Sequence, residues 1–225
     1  MSEYAQPIVK LEIGAGEHPC EGGFIHNDLA AYPHIELVGD AAELPLPSDS
    51  LHFIRAMHVF EHFSPFNATC TLREWRRLLV PEGVLELALP NGELLVSLWA
   101  TGQLPYANLI RDLLGLPPPE VLIPPEREAR RQFATHGWST EFRKYIYAQT
   151  AFLPCGKIET AQSHRWAYAP REMERLLSEF GFHRIHVKID GTALHIWASK
   201  EAIRPMVGFE QIKSVFRGEA IAPGE

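Results

Sequence analysis

The stretch LEIGAGEHPCEGG, residues 11–23, joins the end of an apolar run to a glycine-rich turn. Glu12 stands within the run, and Gly14 and Gly16 follow it one residue apart. Glycines at such a turn let the backbone pass close to a ligand at the end of a buried strand. Where a third glycine would follow, the chain has other residues, and Pro19 removes a backbone N–H that a pyrophosphate would bind. The turn therefore favours a cofactor without phosphates over a dinucleotide.

The composition is that of one globular domain. The chain has 225 residues, of which 46% are hydrophobic and 22% charged, which suits one α/β domain with a large insertion better than two domains. The formal net charge of -7 gives no general attraction for phosphate backbones, so we expect no nucleic-acid partner.

No long apolar segment or disulfide pattern marks the chain as a membrane or secreted protein. No apolar run approaches the ~20 residues that cross a bilayer, and the first ten residues lack the basic and apolar regions of a signal peptide. The three cysteines are widely separated, which fits a reducing compartment. We therefore expect a cytoplasmic protein without a membrane span.

Short apolar runs alternate with turns and helical stretches from residue 8 to about residue 90, which indicates βαβ units and a parallel sheet. Near the C terminus, a helical pattern precedes two alternating runs that indicate an antiparallel hairpin. Residues 91–168 instead break into short helical pieces and proline clusters, too long for an ordinary connection. We interpret this stretch as an insertion or lid, and the tail, residues 203–225, has no assignable pattern.

Four segments follow one another in an order that is typical of one enzyme family. The chain contains LEIGAGEHP, then HNDLA, then GDAAELPLPSDSLHFIRAMHVFEHF, and finally LREWRRLLVPEGVLELALPN. Together these segments resemble a class I S-adenosylmethionine-dependent methyltransferase over residues 8–91 and again over about 164–200. The resemblance implies an α/β, Rossmann-like fold with a seven-stranded, mostly parallel sheet, a reversed C-terminal hairpin and a helical insertion after the fifth strand. The third glycine of the family's first motif is absent here.

The resemblance also implies which residues bind the cofactor, S-adenosylmethionine. Glu12, Gly14 and Gly16 would surround its methionine part, and Asp28, at the end of the second strand, would hold the ribose. Each acid also has a simpler interpretation, because Glu12 fits a solvated strand position and Asp28 fits a helix N-cap or a turn.

Further along the chain, the resemblance assigns Asp40 and Ala41 to the adenine. It places Ala56, Met57 and His58 at the end of the fourth strand, against the reacting sulfonium. His58 is the candidate catalytic base. We expect the positive charge of the cofactor to keep its imidazole neutral.

A second histidine stands close to His58. His58 and His62 have the helical spacing of a zinc pair, but the order is not HExxH and no third ligand is evident in the sequence, so we expect no metal site. The alternative for His62 is a structural hydrogen bond between strand and helix.

The insertion carries several aromatic and imidazole side chains. They would either line an acceptor pocket or pack the insertion onto the sheet. The residues concerned are His136, Trp138, Tyr145, Tyr147, His164 and Trp166.

These observations lead to a functional prediction with two alternatives. We predict a single methyltransferase domain over residues 1–202, with the 91–168 insertion over the acceptor site. It would methylate a small-molecule or sugar- or lipid-type acceptor, on oxygen or nitrogen rather than carbon. An inactive methyltransferase-like domain that serves as a binding or assembly module is the first alternative. A nicotinamide-dependent oxidoreductase is the second, but it requires a GxGxxG turn that the chain lacks.

Overall fold

One seven-stranded sheet organises the chain. The computed structural model describes residues 7–115, 121–150 and 161–201, so the predicted tail at 203–225 lies outside the described residues. The strands are β1 (Lys10–Ile13), β2 (Ile25–Asp28), β3 (Leu37–Val38), β4 (Leu51–Met57), β5 (Leu79–Pro90), β6 (His183–Asp190) and β7 (Ala193–Ser199).

The order of the strands confirms the predicted fold class. They lie in the order β3-β2-β1-β4-β5-β7-β6. The first five strands pair in parallel, whereas β7 runs antiparallel to both β5 and β6. This is the mostly parallel sheet with a reversed final hairpin that the sequence predicts. β5 begins at Leu79, directly after α1, because Leu79 already pairs with Leu51 of β4.

Six helices accompany the sheet in the described ranges. They are α1 (Pro65–Leu78), α2 (Gly92–Ala100), α3 (Tyr106–Leu114), α4 (Glu126–His136), α5 (Thr140–Tyr147) and α6 (Pro170–Glu179), and a short 3₁₀ helix covers Phe60–His62. Four of the six, α2 to α5, lie within residues 91–168, so the predicted helical insertion after the fifth strand is confirmed. None of these helices has the length and apolar character that a membrane span requires.

Helix α1 begins and packs as its sequence dictates. The Ser64 side chain accepts a hydrogen bond from the Asn67 N–H, and Pro65 occupies the first turn, where its missing N–H costs nothing. The buried face includes Leu72 and Trp75. This face closes the apolar core under β1, β4 and β5.

The two faces of the sheet differ because side chains alternate along each strand. One face is apolar and packs against α1 and α6. The other carries a polar row with one residue from each of six strands in register. In this row Glu86 both pairs with Arg55 and accepts from Trp197 Nε1, each at 3.0 Å. A one-residue slip of any strand would bury this row, so the register is strongly specified. The row comprises His26, Glu12, Arg55, Glu86, Trp197 and His186.

The insertion has an apolar core of its own. Buried residues of α2, α3, α4 and α5 form this second cluster, and Trp166 packs against both it and the core of the sheet. The two cores are therefore joined through Trp166. The largest buried members of the insertion core are Trp99, Phe142 and Tyr147.

A buried arginine fastens α5 to α6. The Arg143 guanidinium donates to the Ala167 carbonyl at 3.1 Å and to Glu172 Oε2 at 2.9 Å. It also lies over the rings of Trp138 and Trp166, 5.1 and 4.8 Å from their centroids. A buried cation depends on such partners, because each of them offsets part of its desolvation cost. The position of the insertion on the sheet therefore depends on this ion pair.

We expect Glu172→Gln to lower the free energy of unfolding by about 1–3 kcal/mol, because Arg143 would keep its burial and lose its counter-charge. Glu174→Gln is the matched control, since Glu174 lies exposed on the same helix and should change stability by less than about 0.5 kcal/mol. Urea denaturation of the two variants and the parent measures the difference. Equal stability of both variants would show that the pair does not hold the insertion.

Candidate functional site

A pocket of about 490 Å³ opens at the carboxyl ends of β1, β2 and β4. Ligands of open α/β sheets bind beyond this edge, and the volume lies in the range that small-molecule sites have. The insertion forms part of the wall through Gly115, His164 and Arg165. Six of the residues predicted from the sequence line this pocket: Gly14, Gly16, Asp28, Asp40, Ala41 and His58.

Three other predicted residues, Glu12, Ala56 and Met57, are not among the lining residues. The alternation of side chains along a strand explains this: Ala56 is fully buried in the apolar core, and Glu12 points to the polar face. There Glu12 accepts a hydrogen bond from the Cys20 N–H at 2.8 Å and lies 3.6 Å from His26 Nε2. Glu12 thus holds the far end of the glycine-rich loop, and direct contact of these three residues with a cofactor stays a prediction that the pocket lining does not support.

The glycine turn has a left-handed backbone that is tied to Asp28. Gly14 has a φ of 65° and Gly16 a φ of 59°, a region that side chains other than glycine rarely adopt. A Cβ on Gly14 would lie far inside van der Waals contact with the Val59 side chain, whereas one on Gly16 would meet nothing within 4 Å. Asp28 accepts hydrogen bonds from the N–H groups of Gly16 and Ala30, each at 2.9 Å. Asp28 is therefore a turn former as well as a pocket residue.

Two aromatic residues that the sequence analysis did not single out support the same turn. A ring nitrogen of His34 lies 2.8 Å from the Gly16 carbonyl oxygen, and His34 stacks on Tyr32 with an interplanar angle of 2°. Tyr32 lines the pocket. Their segment between β2 and β3 has no periodicity, so no pattern in the sequence marks it.

The segment after β3 is held by its own turn and by α1. Asp40 Oδ1 accepts from the Ala42 N–H at 2.9 Å, and the Ala41 carbonyl accepts from Trp75 Nε1 at 3.0 Å. Packing of α1 therefore fixes the edge of the pocket at Ala41.

His58 leaves β4 in a strained conformation. Its φ is 56°, in the left-handed region. This backbone conformation is unfavourable for a residue with a side chain, and such residues are concentrated at functional sites. Its backbone N–H donates to the Ala88 carbonyl at 2.7 Å, and its side chain is 59% exposed with Nδ1 3.4 Å from Glu61 Oε1. The contact with the Glu61 carboxylate raises the pKa of His58 despite the partial burial of the imidazole. The expectation of a neutral His58 imidazole did not include Glu61. The Glu61 carboxylate favours the protonated imidazole, whereas a cofactor cation favours the neutral one.

Glu61 lies at the centre of three imidazoles. It is 2% exposed, and neither carboxylate oxygen accepts a hydrogen bond from the described residues. His164 Nε2 lies 4.0 Å from Glu61 Oε1, and the His62 and His164 rings are 4.7 Å apart. Burial lowers the pKa of His62 and of His164, so both imidazoles are neutral near pH 7. His62 thus belongs to the pocket wall, and residue 164 joins it from a distant part of the chain.

The other aromatic residues of the insertion serve packing. Of the candidates that the sequence offered for an acceptor pocket, only His164 is among the described lining residues. His136 is exposed at the end of α4. The remaining four pack in or against the insertion core: Trp138, Tyr145, Tyr147 and Trp166.

Comparison with known families agrees with this architecture. A family model described as "Methyltransferase domain" matches residues 24–87, which run from the start of β2 into β5. A search among curated proteins finds no match. The matched segment and the strand order agree, and together they are those of the Rossmann-like fold of methyltransferase domains.

Solved structures of similar shape are distant in sequence. The CurJ carbon methyltransferase is 16% identical with a TM-score of 0.48; the match covers 89% of this chain and 51% of that chain, so this chain spans about half its length. The 1,6-didemethyltoxoflavin-N1-methyltransferase of Burkholderia thailandensis, solved with S-adenosylhomocysteine, is 13% identical over 88% and 72%, with a TM-score of 0.49. A methyltransferase of Methanosarcina mazei is 15% identical over 88% and 95%, also with a TM-score of 0.49.

We expect Gly14→Ala to destabilise the chain more than Gly16→Ala, because both variants strain a left-handed backbone but only the first collides with Val59. In the double variant Gly14→Ala/Val59→Ala the collision is removed. A double-mutant cycle by chemical denaturation should therefore give a coupling energy of at least about 1 kcal/mol. Additive effects of the two substitutions would mean that the turn is not packed against Val59.

Proposed function

We propose that this chain is an S-adenosylmethionine-dependent methyltransferase, whose pocket binds the cofactor along the ends of β1 and β2 and presents the methyl group to a small acceptor beside His58. One observation supports this most strongly. A single pocket contains the glycine turn, the acid at the end of β2, the segment after β3 and the strained His58.

The residues at the cofactor end fit a nucleoside with an amino-acid tail. Each oxygen of Asp28 accepts one backbone N–H and keeps a second lone pair for a ribose hydroxyl. Asp40 stands at the pocket edge, where its carboxylate would accept from the exocyclic amine of adenine. The space beside Gly16 is open, so the methionine part would lie against the turn without displacing a side chain.

The cofactor supplies a methyl group on a sulfonium that is already activated for transfer. The chain has to hold the acceptor in line with that methyl group and exclude water, and alignment alone lowers a barrier by about 7–11 kcal/mol. We propose that the insertion does this as a lid, because His164 and Arg165 form its side of the pocket. The proposed domain is the predicted one, residues 1–202.

We propose a small acceptor that is methylated on oxygen or nitrogen, with a sugar- or lipid-type acceptor included. The acceptor end of the pocket presents imidazoles, and imidazole is the usual proton acceptor for a hydroxyl or a protonated amine near neutral pH. His164 is neutral there, and His58 is the most exposed of the three around Glu61. The complete pocket favours catalysis over an inactive binding module. Free thiols at Cys20 and Cys70 fit the proposed cytoplasmic location.

The proposed ribose contact is tested by pairing a protein change with a ligand change. We expect the parent to bind S-adenosylhomocysteine at least about 10-fold more tightly than its 2′,3′-dideoxy analogue, since a hydrogen bond to a charged group is lost. In Asp28→Asn this preference should largely disappear. Isothermal titration calorimetry measures all four affinities.

Asp190→Asn is the matched control, because Asp190 also ends a strand but is exposed and away from the pocket. It should keep the parent's preference for the hydroxylated ligand. If Asp28→Asn weakens both ligands by the same factor, Asp28 acts only through the turn, and the ribose assignment is contradicted.

A further inference from the structure

The carboxylate of Glu61 is buried without a hydrogen-bond donor among the described residues. Removing a charged group from water is costly unless another charge or a metal ion compensates it. An unsatisfied buried group of this kind calls for an explanation, and a bound ion is one of the few available. Glu61 is not itself a lining residue of the pocket, but it lies next to His58, His62 and His164, which are.

Each of the two neighbouring imidazoles has a backbone carbonyl oxygen at its Nδ1. His62 Nδ1 lies 3.2 Å from the Ser163 carbonyl oxygen, and His164 Nδ1 lies 3.1 Å from the Asp112 carbonyl oxygen. A carbonyl only accepts, so each Nδ1 carries the proton and each Nε2 keeps its lone pair. Histidines that bind metals are held in the same way, with the other ring N–H donated to a backbone carbonyl or carboxylate.

We propose that Glu61, His62 and His164 form a binding site for a first-row divalent transition-metal ion in the wall of the pocket. One ligand atom from each residue lies within 4.8 Å of the other two, and Glu61 Oε1 is 4.0 Å from His164 Nε2. Bonds of 2.0–2.2 Å in a tetrahedral site place ligand atoms about 3.4 Å apart, so small side-chain rotations complete the site. Two imidazoles and one carboxylate suit zinc or iron(II).

The charge of the three ligands suits such an ion. Imidazoles bind metal ions in the neutral form, and the Glu61 carboxylate supplies the counter-charge. Three protein ligands leave coordination positions open, and the pocket is the space beside them. If the proposed function holds, the metal site also specifies the methyl acceptor. That acceptor is a molecule with an oxygen atom that coordinates the ion, because a hydroxyl bound to a metal ion loses its proton more readily.

A second group with ligand-type side chains, Glu12, Cys20 and His26, is a weaker candidate. Glu12 already accepts from the Cys20 N–H, and His26 Nε2 lies 3.2 Å from the Cys20 carbonyl oxygen. Burial, with a further contribution from Glu12, raises the pKa of the Cys20 thiol to about 11. A thiol binds metal as the thiolate, so this group disfavours a metal ion. Substitution of Cys20 therefore serves as a control for substitutions at Glu61, His62 and His164.

Titration of the chelator-treated full-length chain with Co(II), followed by competition with Zn(II), tests the inference. We expect one Co(II) per chain with visible d–d absorption and without the sulfur-to-cobalt charge-transfer band that a cysteine ligand gives. Glu61→Gln, His62→Asn and His164→Asn should each weaken binding by at least about 100-fold. His136→Asn, an exposed histidine at the end of α4, and Cys20→Ser should bind as the parent does.

Circular dichroism identifies variants that fail to fold. Because such variants give no information on metal binding, a second measurement uses the parent protein alone. Zn(II) should protect His62 and His164 in the parent from acylation by diethyl pyrocarbonate, while His136 stays reactive. Absence of protection, weak binding of several ions per chain, or binding that Cys20→Ser abolishes and Glu61→Gln does not would each overturn the site.

The same metal-free sample is titrated with S-adenosylhomocysteine to separate the two proposals. Binding of this ligand without stoichiometric metal binding overturns the metal site and leaves the proposed function standing. Stoichiometric metal binding without binding of S-adenosylhomocysteine supports the metal site and contradicts the proposed cofactor pocket.

Discussion

Parallel pairing of β1 with both β2 and β4 is the constraint on which the site depends. Because these three strands run in the same direction, their carboxyl ends meet at one edge, and the turns that follow them converge there. Gly14, Asp28 and His58 are far apart in the sequence and become neighbours only through this pairing. The same edge receives the insertion, whose His164 completes the wall.

Alternation along the strands decides which residues face the pocket and which support it. Glu12 and Asp28 are both acids near strand ends, yet Glu12 belongs to the polar face of the sheet and Asp28 extends beyond its strand. Each nevertheless acts on the glycine loop, Glu12 through the Cys20 N–H and Asp28 through the Gly16 N–H. The loop is therefore fixed at both ends by carboxylates, a geometry that does not depend on a third glycine.

The sequence predicts the fold well because its signals are local. Apolar runs, helical spacing and the antiparallel ending give the strand order and the helical insertion, and a short motif finds Gly16 and Asp28. The remaining features depend on contacts between distant segments. The spacing of His58 and His62 is visible in one window of sequence, but His164 joins them only through the fold, where His62 Nδ1 lies 3.2 Å from the Ser163 carbonyl oxygen across 101 residues. Strand alternation turns the side chain of Ala56 into the core, so its contact with a cofactor stays a prediction.

The most direct test of this pocket is a crystal structure of the chain with S-adenosylhomocysteine. We expect the ribose hydroxyls within hydrogen-bond distance of the Asp28 carboxylate, the adenine beside Asp40 and Ala41, and the sulfur atom on the side of the pocket that His58 and His164 form. A ligand bound away from the carboxyl ends of β1 and β2, or bound in the reverse orientation with its adenine beside His58, would contradict this expectation.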